Sequence, residues 1–386
     1  MIFQPQMRVP GPTPIPERVV RSASRPMVDH RGPDFKKVLE DVVAGVKRVF
    51  ETENDVLVFT ASGTGGLESA VANVVSPGDK VVCCICGNFG ERFAAIADAY
   101  GCETVRLEAE WGQPVEPADL QRTLEAHPDT KLVLLTHNET STGLTNGLAQ
   151  LASVVRAAGP LLAVDGVSSV GSIPIEVDRN GVDIGVTASQ KGFLAPPGAA
   201  FVSISERAWK ASEHATAPRV YFDWKASKKS LEEGATPFTP AIGVFYAVQE
   251  GLWMLEEEGL PNVYARQRRI AGGVAAGLDA LGFELFAADG YRSAVVTAAL
   301  PPPGLDANGL RKQLREKYGV VIAGGQGKMS GKMVRIGHLG AVQESDMVQV
   351  LWSVEQALED LDVRASDGRG VQALTAAMAG RAALKA

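Results

Sequence analysis

The chain has 386 residues, 45% hydrophobic and 22% charged, values that exclude disorder throughout and predict about two domains at roughly 100–200 residues each. With 38 Lys and Arg against 45 Asp and Glu the formal charge is −7, which favours solubility and argues against a nucleic-acid partner. No apolar run approaches the roughly 18 residues of a spanning helix, so no membrane is expected and the protein reads as cytoplasmic.

The first stretch, MIFQPQMRVPGPTPIP, is broken by proline where a secretion signal needs a continuous apolar core. From residue 56 to about 205 short apolar runs alternate with helical patterns. The runs are VLVF (56–59), KVVCCI (80–85), TVRL (104–107), KLVLLT (131–136), LLAVD (161–165), DIGVTA (183–188) and AAFVSI (199–204). Helix candidates lie between most of them: LESAVANVV, RFAAIADAYG, ADLQRTLEAH and LAQLASVVRAAG, the last closed by a C-cap glycine. Apolar strands alternating with helices predict a mostly parallel seven-stranded sheet covered on both faces, an α/β fold. Beyond it a helical stretch over 243–282 is interrupted only at Gly259-Leu260-Pro261, and FELFA, SAVVTAAL, a helix over 307–317, GVVIAG, MVRIG and a helix over 343–362 follow. These predict a smaller α+β C-terminal domain. The Ala-rich last twenty or so residues are weakly periodic and receive no role.

Of the four cysteines, Cys83, Cys84 and Cys86 share one strand-like run, with Cys84 and Cys86 on one face and Cys83 on the other. Together with Cys102 they read as buried free thiols in a reducing compartment. No histidine stands at zinc-ligand spacing, so no metal is expected.

Parallel sheets bind ligands beyond the carboxyl ends of their strands, so the residues after each run matter most. After the first comes ASGTGGLES, a glycine-rich turn feeding a helix expected from about Leu67. Its free amides and dipole suit an anion such as phosphate, although a simple turn with an N-cap explains it equally well. After the second comes Gly87-Asn88-Phe89-Gly90, whose aromatic is either a core anchor or a plate for a flat ring. The fourth is followed by HNETSTG with Thr140, the fifth ends on Asp165, and the sixth leads into Ser189-Gln190-Lys191. Each has an ordinary reading: a helix approach, an N-cap and a solvated loop lysine. Together, a phosphate cup, an aromatic plate, a hydroxyl, a carboxylate and a lysine on one sheet edge are the parts that hold pyridoxal phosphate.

These residues carry a family resemblance. The chain resembles the class V, fold-type I pyridoxal phosphate-dependent aminotransferases, and within them the serine–glyoxylate group, through PGPTPIP, DHRGPDF, FTASGTGGLES, HNETSTG, VDGVSS, SQKGF, PFTPAIG and VRIGHLG. The resemblance implies an arm over 1–20 at the active site, a large cofactor-binding domain over 21–260 and a small domain over 261–386. It implies that Lys191 carries the cofactor aldehyde and moves the substrate proton, and that Asp165 pairs with the pyridine nitrogen. Phe89 would stack on the ring, while Ser62, Gly63, Thr64 and Gln190 would hold the phosphate. Thr140 would bond near the ring and the substrate carboxylate, and Arg335 would clamp that carboxylate bidentately. A homodimer with shared sites is implied, in which Thr239 reaches the neighbouring subunit's phosphate. His30 and Arg31 would approach from across the interface toward the substrate, beside Gly11 of the PGPTP loop. The implied activity is a ping-pong transfer from a small L-amino acid, serine first, to glyoxylate, giving hydroxypyruvate and glycine. Alanine or aspartate as donor, with glyoxylate or pyruvate as acceptor, is the alternative. A cysteine desulfurase would need a reactive cysteine in the C-terminal part, yet none lies beyond residue 102.

Overall fold

The computed structural model describes residues 5–380; the first four residues of the expected arm and the last six of the Ala-rich tail lie outside them. Seven strands form the central sheet in the order Asp55–Phe59, Ala200–Ile204, Ile184–Ala188, Leu161–Asp165, Leu132–Thr136, Lys80–Ile85 and Glu103–Glu108. Only Ala200–Ile204 runs against its neighbours, so the chain leaves the other strands on a single edge. Six of the seven expose almost nothing, as a sheet covered on both faces requires.

One core layer packs under the helix Pro33–Phe50 and takes Cys84 and Cys86, while the layer on the opposite face takes Cys83. All four cysteines are free, three of them buried, and burial pushes their thiols up to about 11 or higher. Two helices begin earlier than their hydrophobic periodicity suggests. The first starts at Gly63 rather than near Leu67, because Gly63 and Gly66 let it lie directly on the sheet. A Cβ at Gly63 would stand 2.7 Å from Val167, and one at Gly66 2.7 Å from Val186. The second starts at Asn88, so Phe89 lies in a first helical turn and not in a loop.

The helical stretch after residue 241 is two helices, Ile242–Glu258 and Leu260–Ala280, parted at Gly259 with φ 81°. A second, five-stranded sheet has the order Gln6–Arg8, Val320–Gly324, Val334–Gly337, Val296–Leu300 and Glu284–Leu285. Its first strand comes from the N-terminal arm, which pairs parallel with Val320–Ile322. The arm therefore ties this sheet to the large one before crossing the strand tips. The Ala-rich segment, given no role from sequence, packs on the small sheet's core. Arg369–Met378 is a helix that buries Leu374 against Leu260–Ala280, and glycines of the latter permit close approach: Cβ atoms at Gly273 and Gly277 would meet Leu374 and Gly370 at 2.9 and 3.0 Å.

No helix among the described residues is long and apolar enough to cross a membrane. Leu374→Ala should destabilise the small sheet's core by about 2–4 kcal/mol, the usual result of emptying a buried leucine site. Denaturant unfolding checks this, and a loss below about 0.5 kcal/mol would contradict the packing.

Candidate active site

The carboxyl edge of the large sheet opens into a cavity of about 430 Å³. Nine of the residues singled out by sequence line it: Gly11, Ser62, Gly63, Thr64, Phe89, Thr140, Asp165, Gln190 and Lys191. Eight of the nine stand at or after the ends of five strands that run the same way and finish on one edge of the sheet, and Gly11 comes from the N-terminal arm.

Lys191 follows the Ile184–Ala188 strand in a turn held by Ser189, whose hydroxyl donates to Pro196 O at 2.6 Å and accepts from Ala199 N at 3.2 Å. The lysine amine donates to Pro10 O at 2.6 Å, and Gly11 passes so near that a Cβ there would stand 2.2 Å from Nζ. Burial drives the ammonium down to about 8, partly resisted by Asp165 and aided by Arg335. Asp165 is 5% exposed and accepts from Val167 N at 2.9 Å. Burial raises its carboxyl to about 6. The two groups form no salt bridge with each other in the described residues.

At the far end of the cavity lies the start of the Gly63–Ala72 helix. Ser62 is its N-cap but makes no side-chain capping bond, and the first amides of a helix have no partner within it. Gln190 Oε1 is buried there without a hydrogen-bond partner. Arg92, which the sequence analysis does not single out, reaches Thr64 Oγ1 at 3.4 Å with its guanidinium 4.8 Å from the Phe89 ring centre. A phosphate fits this donor set, Phe89 and Val167 offer apolar wall for a flat ring, and an aldehyde fits the partly neutral amine of Lys191. The residues present therefore suit pyridoxal phosphate on their own chemistry.

Arg335 stands behind Thr140 and not on the cavity wall. It is 5% exposed, donates from Nη1 to Thr140 O at 2.9 Å and from Nε to Gly324 O at 2.7 Å. No carboxylate among the described residues forms an ion pair with it, and burial lowers it to about 10. Three residues stay away from the cavity within a single chain. Thr239 is exposed beside the stacked Tyr221 and Phe238 rings, whose centres are 4.9 Å apart. Arg31 is exposed, and His30 Nε2 is buried without a partner.

Sequence reading also missed Asn138, Ser168, Val167 and Gln326 on the wall. Val167 follows Asp165 by two and could have been read from strand-tip geometry. Gln326 could not, since it comes from the loop after Val320–Gly324 in the other sheet.

Fold and cavity together define a fold-type I pyridoxal phosphate enzyme. Residues 11–350 match the class-V aminotransferase family, and the chain belongs to it. An uncharacterized aminotransferase of Methanocaldococcus jannaschii is 42% identical over 92% of this chain and 93% of its own length. An L-aspartate–glyoxylate aminotransferase of Paracoccus denitrificans is 38% identical, over 97% and 96%. A serine–glyoxylate aminotransferase of Methylorubrum extorquens is 37% identical, over 95% and 94%. Among solved structures, a ureidoglycine–glyoxylate aminotransferase from Bacillus subtilis superposes with a TM-score of 0.92 at 28% identity, covering 98% of both chains. The protein is a pyridoxal phosphate-dependent aminotransferase.

In the cofactor-free protein the Lys191 ammonium gives up its proton near pH 8 in place of the ordinary 10.5. Its reaction with an amine-directed reagent, followed by peptide mass spectrometry, should rise with a midpoint near that pH; a midpoint above about 10 would contradict the desolvated setting.

Proposed function

We propose that this aminotransferase moves the amino group of a small L-amino acid, serine first, to glyoxylate, giving hydroxypyruvate and glycine by a ping-pong mechanism. The observation that carries the substrate class is Arg335. Its guanidinium is buried and bonded to two backbone carbonyls, with the buried Glu139 carboxylate as a favourable charge at longer range but no ion pair among the described residues, and an anion joining it would offset the remaining cost of burial. The α-carboxylate common to amino and 2-oxo acids supplies one, and the planar fork binds it bidentately.

Bound pyridoxal phosphate supplies a carbon that carries the amino group between the two halves and a ring that draws off the electron pair left at Cα. Asp165 holds the proton on the ring nitrogen, since a carboxylate buried with one amide donor gains most from a cation beside it. Ser62, Gly63, Thr64 and Gln190, with Arg92, bind the phosphate; Phe89 supports the ring. Lys191 Nζ takes the proton from substrate Cα as general base. In the second half a 2-oxo acid occupies the same place, and Lys191 returns a proton to its Cα. Thr140 and Arg335 hold the carboxylate in both halves.

The preference for serine rests on Gln326, a residue of the cavity wall whose buried Oε1 has no hydrogen-bond partner. A hydroxyl can donate to a side-chain amide or accept from it, whichever way the amide points, whereas the methyl of alanine can do neither. Aspartate would need a second cation, and the remaining one on the wall, Arg92, is turned to Thr64. This reading also sets the protein in the reducing cytoplasm as a homodimer. Val220, Tyr221 and Phe238 are exposed by 81%, 40% and 43% beside Thr239, an apolar patch that a second copy would cover. Thr239, His30 and Arg31 of the partner subunit would then complete the phosphate and substrate ends of the site. Gly11 would border the substrate, and the arm over 1–20 would cross between a large domain over 21–260 and a small one over 261–386.

Lys191→Ala should abolish turnover with serine and glyoxylate while leaving the cofactor bound noncovalently; near-normal turnover would refute the assignment. Asp165→Asn should cut kcat by at least about a hundredfold in a folded protein, because a neutral amide cannot hold the ring proton. For specificity, Gln326→Leu should lower kcat/KM for serine by about tenfold, roughly one hydrogen bond, with alanine unaffected. Equal losses with both donors would remove Gln326 from substrate recognition.

A further inference from the structure

Glu139 is fully buried, belongs to the HNETSTG segment, and is not on the cavity wall. Its carboxylate nevertheless accepts four hydrogen bonds. Oε2 takes Phe89 N at 2.9 Å and Gly90 N at 3.1 Å, while Oε1 takes Ser141 N at 3.0 Å and Ser141 Oγ at 2.6 Å. Ser141 Oγ accepts in turn from Asn88 N at 2.9 Å. The first three amides of the Asn88–Ala99 helix are thus all bound by two side chains of one loop. Four donors on one carboxylate at the positive end of a helix describe an anion. Burial pushes its carboxyl up, and these bonds pull it back. There is no slack, since a Cβ at Gly87 would stand 2.4 Å from Glu139 Cγ and 2.5 Å from Ser141 Oγ.

Between Glu139 and Ser141 lies Thr140, the residue that lines the cavity and whose carbonyl receives Arg335. We propose that Glu139 is a positioning residue that fixes, from one buried carboxylate, both the helix turn carrying Phe89 and the loop that holds Arg335. The ring plate and the carboxylate clamp are therefore set together, although they come from different sheets. A displacement of the loop moves Thr140 O away from Arg335 and releases the Phe89 amide at the same time. This inference rests on the aminotransferase reading, because it takes Phe89 as the ring plate and Arg335 as the carboxylate clamp.

The test uses the full-length Glu139→Gln protein, whose amide nitrogen cannot accept from the helix amides. Three readouts apply: pyridoxal phosphate binding by absorbance titration, KM and kcat for amino donor and glyoxylate, and thermal unfolding without cofactor. The proposal expects the dissociation constant for pyridoxal phosphate and both KM values to rise by about tenfold or more, with a smaller change in kcat. Ser141→Ala, which keeps the charge and removes two of the bonds, should move the same constants the same way by a few-fold. It carries the test alone if Glu139→Gln does not fold. A purely structural residue would lower the unfolding temperature and leave the binding constant and KM of the folded protein unchanged, and that result overturns the proposal. If the wild-type chain itself neither binds pyridoxal phosphate nor transaminates, it is the functional reading that fails.

Discussion

An amine and a carboxylate are desolvated in one cavity without forming a salt bridge, and most of the surrounding structure follows from that constraint. Lys191 and Asp165 sit at neighbouring strand tips, each shifted by burial toward its neutral form. Opposed charges left in this state favour a ligand that offers a cation to the carboxylate and an electrophile to the amine. A protonated pyridine ring carrying an aldehyde meets both demands. The parallel sheet makes the arrangement possible because it gathers strand ends from residues far apart in the chain on one edge.

Holding such a ligand requires backbone at close quarters, and this is where glycine is spent. Gly63 and Gly66 seat a helix N-terminus on the sheet, Gly87 admits the Glu139 carboxylate, and Gly11 clears the Lys191 amine. A side chain at any of these four positions would collide with a residue of the site or with the sheet beneath it. The arm that contains Gly11 also pairs with Val320–Ile322, so the small sheet and the lysine loop share one strap of chain. Arg335 and Gln326, the groups proposed to bind substrate, come from the small sheet and the loop after its Val320–Gly324 strand, so the same strap joins them to the cavity residues of the large sheet.

Much of this was legible in the residues. The seven strands were visible as apolar runs, and their tips carried Asp165, Lys191, Thr140 and the glycine-rich turn in the order that a parallel sheet converts into one site. What stayed hidden depends on contacts between distant segments. Gln6–Arg8 is too short to signal a strand until it meets Val320–Ile322. Arg369–Met378 reads as an Ala-rich tail because its helix is specified by the groove that receives Leu374. Gln326 is one polar residue in a glycine-rich loop, and only the placement of the second sheet brings it to the cavity. Glu139 is one more polar letter of HNETSTG, because its four donors come from residues 89, 90 and 141, and local pattern does not reveal that pairing.

The central claim is that one lysine, Lys191, carries the cofactor at the junction of Asp165, Phe89 and the Gly63 helix. Borohydride reduction of the protein loaded with pyridoxal phosphate, followed by peptide mapping, tests it most directly. The account predicts a single pyridoxyl modification, on Lys191, that is prevented when serine is added before reduction. Modification of a different lysine, or of several to similar extents, would contradict it.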